Sequence, residues 1–135
     1  MLKLGETLAK KTQAGDVIYL RSELGAGKTT LTRGLLRYLG YQGTVKSPTY
    51  TIVESYTLKH FQCFHFDLYR LRSPKELEYI GLEDYFIRDA VCLIEWPEKA
   101  KALLPKPTID CSITIIGRIR EVEIIFRKYN ADASL

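Results

Sequence analysis

The residues with the clearest chemistry are Ser22-Glu23-Leu24-Gly25-Ala26-Gly27-Lys28-Thr29. A glycine-rich turn ending in Lys-Thr, set between a buried strand and a helix, is the context of a phosphate-binding P-loop. Glycines let successive backbone N–H groups turn inward onto phosphate oxygens. The amino end of the following helix adds its dipole and free N–H groups. On this reading Leu24, Gly25, Ala26, Gly27, Lys28, Thr29 and Thr30 form the nucleotide cradle, with Lys28 bridging the β- and γ-phosphates and the Thr29 hydroxyl holding Mg²⁺. Ser22 stands where the motif expects its first glycine, a position that a strand-end conformation tolerates. A plain strand-to-helix turn is the alternative.

Three further segments carry polar groups at strand ends. Residues 91–95 are apolar and end in Glu95, the pattern of a strand that delivers an acid beside the phosphate loop of a parallel sheet, within reach of Mg²⁺. Cys63, His65 and Asp67 alternate with Phe64, Phe66 and Leu68, so they share one strand face. Asp67 suits the rim of a nucleotide site, where it could orient water or hold a metal-bound water. His65 reads as a polar neighbour rather than a ligand. In Ser47-Pro48-Thr49 the proline favours an extended Ser47, and either hydroxyl could sense a γ-phosphate as a switch threonine does. A strand-initiating turn explains the same residues. Trp96, the single tryptophan, suits a rim that stacks on nucleotide, RNA or a partner as well as it suits packing.

The elements that must position these groups follow from periodicity and punctuation. Leu4 and Leu8 mark a short first helix ending near Ala14-Gly15, followed by a buried strand at Val17-Ile18-Tyr19-Leu20. A helix is expected over residues 28–39, with Leu31, Leu35, Leu36 and Leu39 on one face and Gly40 closing it. Residues 49–58 and 61–69 form an antiparallel pair. Ser73-Pro74-Lys75-Glu76 opens a helix, with Ser73 as cap, Pro74 at the first helical position and Glu76 completing a capping box. That helix ends at Gly81, and residues 82–86 add a turn or two. A buried strand at 90–94 and a short helix after Trp96-Pro97 precede a closing hairpin of residues 109–116 and 121–126 around Gly117. The tail, 129–135, should fray. Helices interleaved with buried strands imply an α/β, three-layer P-loop NTPase-like domain with a mixed central sheet, spanning residues 1–135 as one unit.

Composition agrees with that scale. The chain has 135 residues, 46% of them hydrophobic and 27% charged, and a net charge of +4. So small a basic surplus is compatible with phosphate or RNA ligands without establishing either. The three cysteines sit singly in apolar runs with no CxxC, as buried thiols of a reducing compartment do. No apolar run approaches the roughly 20 residues needed to span a bilayer, and no signal peptide opens the chain. These features point to the cytoplasm and away from a membrane.

Glu23-Leu24-Gly25-Ala26-Gly27-Lys28-Thr29-Thr30, Val45-Lys46-Ser47-Pro48-Thr49-Tyr50-Thr51, His65-Phe66-Asp67-Leu68-Tyr69-Arg70-Leu71 and Leu93-Ile94-Glu95-Trp96-Pro97 occur in this order and at this spacing. Together they resemble, end to end, the TsaE (YjeE) family of bacterial ATPases in tRNA N6-threonylcarbamoyladenosine synthesis. The resemblance implies an ATP- and Mg²⁺-dependent accessory ATPase, slow on its own, that resets a complex of TsaB and TsaD, with tRNA engaged indirectly if at all. It implies a switch role for Ser47 or Thr49, a functional Trp96, and catalytic or metal roles for Thr29, Thr49, Asp67 and Glu95. Arg118 or Arg120 would lean on the nucleotide. Ser22 departs from the family's glycine. The family's leading strand, with a threonine-type contact near the adenine, has no counterpart here, so either the sequence is trimmed or the base is held differently. Two other readings remain. A small-molecule kinase would need an arginine-rich lid and acceptor pocket, which are not evident. A nucleotide-controlled binding module would lack hydrolysis, against the presence of Lys28, Thr29 and Glu95. ATP is favoured over GTP because no N-K-x-D segment is present.

Overall fold

The structure is a computed structural model that describes residues 1–23 and 27–127. Leu24, Gly25 and Ala26 of the expected cradle and the expected frayed tail at 129–135 lie outside those residues.

One six-stranded sheet organises the chain in the order β2-β3-β4-β1-β5-β6. β1 (Val17–Ser22), β3 (Gln62–Asp67), β4 (Ala90–Glu95) and β5 (Ile109–Ile116) run parallel, whereas β2 (Val53–Thr57) and β6 (Ile119–Phe126) pair antiparallel at the two edges. The central strands are buried on both faces, which is why β1 and β4 read as unbroken apolar runs. The expected mixed α/β sheet is therefore present.

Helices α1 (Leu2–Lys10) and α2 (Lys28–Tyr38) cover one face through Leu8, Leu31, Leu35 and Leu36. The other face is covered by α3 (Lys75–Tyr79) and two 3-10 turns, Leu82–Tyr85 and Pro97–Ala100, through Leu77, Leu82 and Ala100. α1 and α2 touch backbone to backbone. A Cβ on Gly5 would stand 2.0 Å from the Leu31 carbonyl oxygen, and one on Gly34 would stand 2.3 Å from that of Leu2. Only glycine fits at such crossings.

Several boundaries differ from expectation, each for a local reason. α1 stops at Lys10 rather than near Gly15. The Asp16 carboxylate accepts the Gln13 N–H at 2.8 Å and builds a polar turn instead. α2, by contrast, closes at Gly40 as expected, the Tyr41 N–H bonding the Leu36 carbonyl and the Gly40 N–H that of Arg37 in a Schellman closure. The strand expected from Thr49 begins only at Val53, because residues 48–52 fold into a turn closed by Ile52 N–H to the Pro48 carbonyl at 2.8 Å. At α3 the capping box is displaced by one residue. Glu76 accepts the Arg72 N–H at 2.8 Å, Ser73 Oγ accepts from Lys75, and Pro74 takes the cap position. β6 starts two residues earlier than expected, at Ile119, leaving a two-residue loop of Gly117 and Arg118. No helix among the described residues is long and apolar enough to cross a membrane. Cys63, Cys92 and Cys111 are buried free thiols, and burial pushes the first two up to about 12 and Cys111 to about 11.

Candidate functional site

β1, β3 and β4 end on the same side of the sheet, and register fixes what meets there. Leu20 lies opposite Glu95, and Asp67 lies opposite Glu95 on the other flank. The crevice beyond the carboxyl ends of parallel strands is where such sheets bind ligands. Here it is a cleft of about 320 Å³ lined by Gly27, Lys28, Thr29, Ser47, Thr49, Asp67, Glu95 and Trp96. A larger hollow of about 400 Å³, beside Glu78, Leu82 and Asp84, contains none of the residues singled out from the sequence.

Each group reaches the cleft by a distinct local device. Gly27 precedes α2 with φ +95, a left-handed conformation that glycine adopts without steric cost. Lys28 and Thr29 follow in the first turn of the helix, with Lys28 buried and Thr29 exposed to the cleft. Thr30 is half-buried and does not line it. Ser22, in the place of the expected glycine, is the last residue of β1, and its carbonyl accepts from Lys28 Nζ at 3.3 Å. The Ser47 and Thr49 hydroxyls bond each other at 2.7 Å. Trp96 takes a left-handed backbone (φ 57) that turns its ring back against Tyr69, 5.0 Å between centroids. Ile52, beside the Ser47–Thr49 loop, is the other non-glycine residue with positive φ among those described. Both therefore flank the cleft, where strained backbone tends to gather.

Glu95 is the electrostatic centre. Its Oε2 lies 2.5 Å from His65 Nε2 and its Oε1 lies 3.4 Å from Lys28 Nζ, all three side chains being buried. The Lys28 ammonium also sits 4.7 Å from the centroid of the Trp96 ring. Burial alone would raise the Glu95 carboxyl, but His65 and Lys28 outweigh it and hold it below the ordinary value. Asp67 behaves oppositely. Burial raises it and Glu95 adds to the rise, against opposition from the Tyr69 N–H, Lys28 and His65. Its Oδ1 accepts that N–H at 3.0 Å.

The structure thus brings together Gly27, Lys28, Thr29, Ser47, Thr49, Asp67, Glu95 and Trp96. Arg118 and Arg120 do not join them; they are exposed on the β5–β6 hairpin and line no part of the cleft. The closeness of His65 to Glu95 was not drawn from the sequence. Its signal was a shared strand face with Asp67, but the contact depends on a β3–β4 register that one strand alone does not reveal. Thr29, Asp67 and Glu95 offer the hard oxygen donors that Mg²⁺ prefers. Among the described residues no cluster of three or more His, Cys, Asp or Glu side chains gathers to hold a metal.

Fold and cleft together define an α/β protein with a mixed six-stranded sheet and a polar, charged crevice at its strand ends. The crystal structure of YdiB from Bacillus subtilis shares this fold, with a TM-score of 0.79 and 29% identity over 98% of this chain and 82% of that one. The family model for the threonylcarbamoyl adenosine biosynthesis protein TsaE matches residues 1–122. The tRNA threonylcarbamoyladenosine biosynthesis protein TsaE of Haemophilus influenzae is 48% identical over 130 residues, 93% of this chain and 82% of the relative. That of Bacillus subtilis is 39% identical over 116 residues, 83% of this chain and 72% of the relative. The chain belongs to the TsaE family.

Proposed function

We propose that this chain is a P-loop ATPase that binds Mg²⁺-ATP in the cleft and hydrolyses it slowly, as a cytoplasmic accessory to N6-threonylcarbamoyladenosine modification of tRNA. Its partners would be TsaB- and TsaD-type proteins, whose transferase complex the hydrolysis resets, with tRNA reached only through them. The observation that carries the reading is the convergence, from four separate segments, of a helix amino end, a buried lysine, three hydroxyls and two carboxylates on one crevice.

In this reading Gly27 and the first turn of α2 receive the phosphates together with the neighbouring Leu24, Gly25, Ala26 and Thr30. Lys28 leaves Glu95 for the β/γ oxygens, an exchange of one anionic partner for another. Thr29 and Glu95 would hold Mg²⁺, which when bound neutralises charge on the phosphate oxygens. Asp67, with its raised pKa, is suited to accept a proton from a water it orients. Ser47 and Thr49 form the hydroxyl pair that senses the terminal phosphate. Trp96 walls the cleft where a partner would meet it. Among the described residues Lys28 is the one cation lining the cleft. A transition state supplied with a single protein cation is poorly stabilised. Slow turnover until a partner docks follows from that.

Calorimetry with Mg²⁺-ATP and phosphate release with and without the partner proteins test this. Wild type should bind and turn over faster with partners. Lys28→Ala should lose roughly tenfold or more in affinity, the worth of a charge-assisted contact of about 1.5–3 kcal/mol. Absence of binding heat in wild type would overturn the proposal.

A further inference from the structure

We propose that His65 is a positioning residue for Glu95, fixing one carboxylate oxygen so that the other faces the cleft. This rests on the reading above, in which Glu95 serves nucleotide hydrolysis. The geometry is specific. His65 is 1% exposed, lies opposite Leu93 in register, and reaches one step diagonally along the sheet to Glu95 Oε2 at 2.5 Å. An ionised carboxylate only accepts, so Nε2 carries the proton.

The other ring nitrogen, Nδ1, is buried and has no hydrogen-bond partner among the described residues. A buried polar atom without a partner costs about 1–3 kcal/mol. An imidazole kept for packing alone would be inferior at this position to an apolar side chain of equal size. What the ring supplies is the N–H to Glu95.

That bond matters most when nucleotide is present. In the free protein Glu95 has two partners, His65 on Oε2 and Lys28 on Oε1. Once a triphosphate draws Lys28 away, His65 is the partner that remains to hold the carboxylate. Oε1 is then released towards the cleft with its aim unchanged. Partners that orient a metal-facing ligand in this way are worth roughly 10- to 100-fold in activity or affinity.

Two nearly isosteric variants separate aim from packing, measured in the intact chain with its partner proteins. His65→Met should lower kcat by roughly tenfold or more while the KM for ATP stays about the same. His65→Gln, which retains an N–H donor, should recover most of the loss. Added to Glu95→Gln, His65→Met should lower kcat no further. Wild-type turnover in a folded His65→Met protein would overturn the proposal, as would a Gln variant as slow as the Met one. Loss in Glu95→Gln without loss in His65→Met sinks the positioning role alone, whereas full turnover in Glu95→Gln sinks the underlying reading of Glu95. Imidazole ¹⁵N spectra of the metal-free protein give a readout independent of turnover. They should show a ring protonated at Nε2 whose signals move in Glu95→Gln. A neutral ring protonated at Nδ1 could not donate to Glu95 and would end the argument.

Discussion

The ends of β3 and β4 present two carboxylates from directly paired positions, yet the two environments push them in opposite directions. Glu95 is the more deeply buried, and desolvation should penalise its charge more than that of Asp67. It nevertheless titrates below the ordinary range, and the half-buried Asp67 titrates above it. The difference lies in partners. Glu95 has an imidazole N–H and an ammonium in contact, whereas Asp67 has a backbone N–H and the Glu95 charge nearby. Two acids pushed apart in this way are suited to separate tasks, the charged one to cations and the more basic one to a proton.

Removing the charge at the end of β4 should have the largest effect. Glu95→Gln leaves the Lys28 ammonium buried without its carboxylate, and breaking such a pair costs about 3 kcal/mol, readable as a lower urea midpoint at neutral pH. The pH dependence has a definite sign. With the folded value below the unfolded 4.5, the stability Glu95 contributes is complete above pH 4.5 and is lost as pH falls through the folded value. The gap between wild type and variant should therefore narrow in acid.

A smaller change is expected from Lys28→Met, which removes the ammonium and leaves His65 as the remaining partner of Glu95. Glu95 should then titrate higher and Asp67, relieved of an opposing charge, higher as well, both visible in carboxyl ¹³C titrations. A Glu95 that did not move would place its stabilisation wholly on His65.

Asp67→Asn should be mildest for stability. Its folded value lies above the unfolded 3.8, so ionised Asp67 costs stability as pH rises and costs nothing well below 3.8. The variant should unfold at a slightly higher urea concentration at neutral pH, with no difference in strong acid. Its ATP turnover should slow while binding holds, and a pure binding defect would reassign the residue.

How much of this could be read from residues alone depended on how local each signal was. α2 announced itself through Leu31, Leu35, Leu36 and Gly40, and β4 through its unbroken apolar run, because both are decided by residues within one element. The cleft lining followed, since a lysine after a glycine turn and an acid after a buried parallel strand must emerge on the same side. What escaped was set between elements. The His65–Glu95 bond needs the β3–β4 register, the Gly5 and Gly34 contacts need the crossing of α1 on α2, and the delayed start of β2 reflects a turn closed by Ile52. At α3, Ser73, Pro74 and Glu76 mark a helix start, yet Glu76 bonds one residue further back than the motif specifies.

Trp96 is the single tryptophan of the chain, and a positive charge rests 4.7 Å from the centre of its ring. Indole emission responds to a nearby charge, so departure of the ammonium towards a ligand would change the brightness or colour of the only strong fluorophore present. The molecule thereby carries an internal optical gauge of its own lysine, readable without labels.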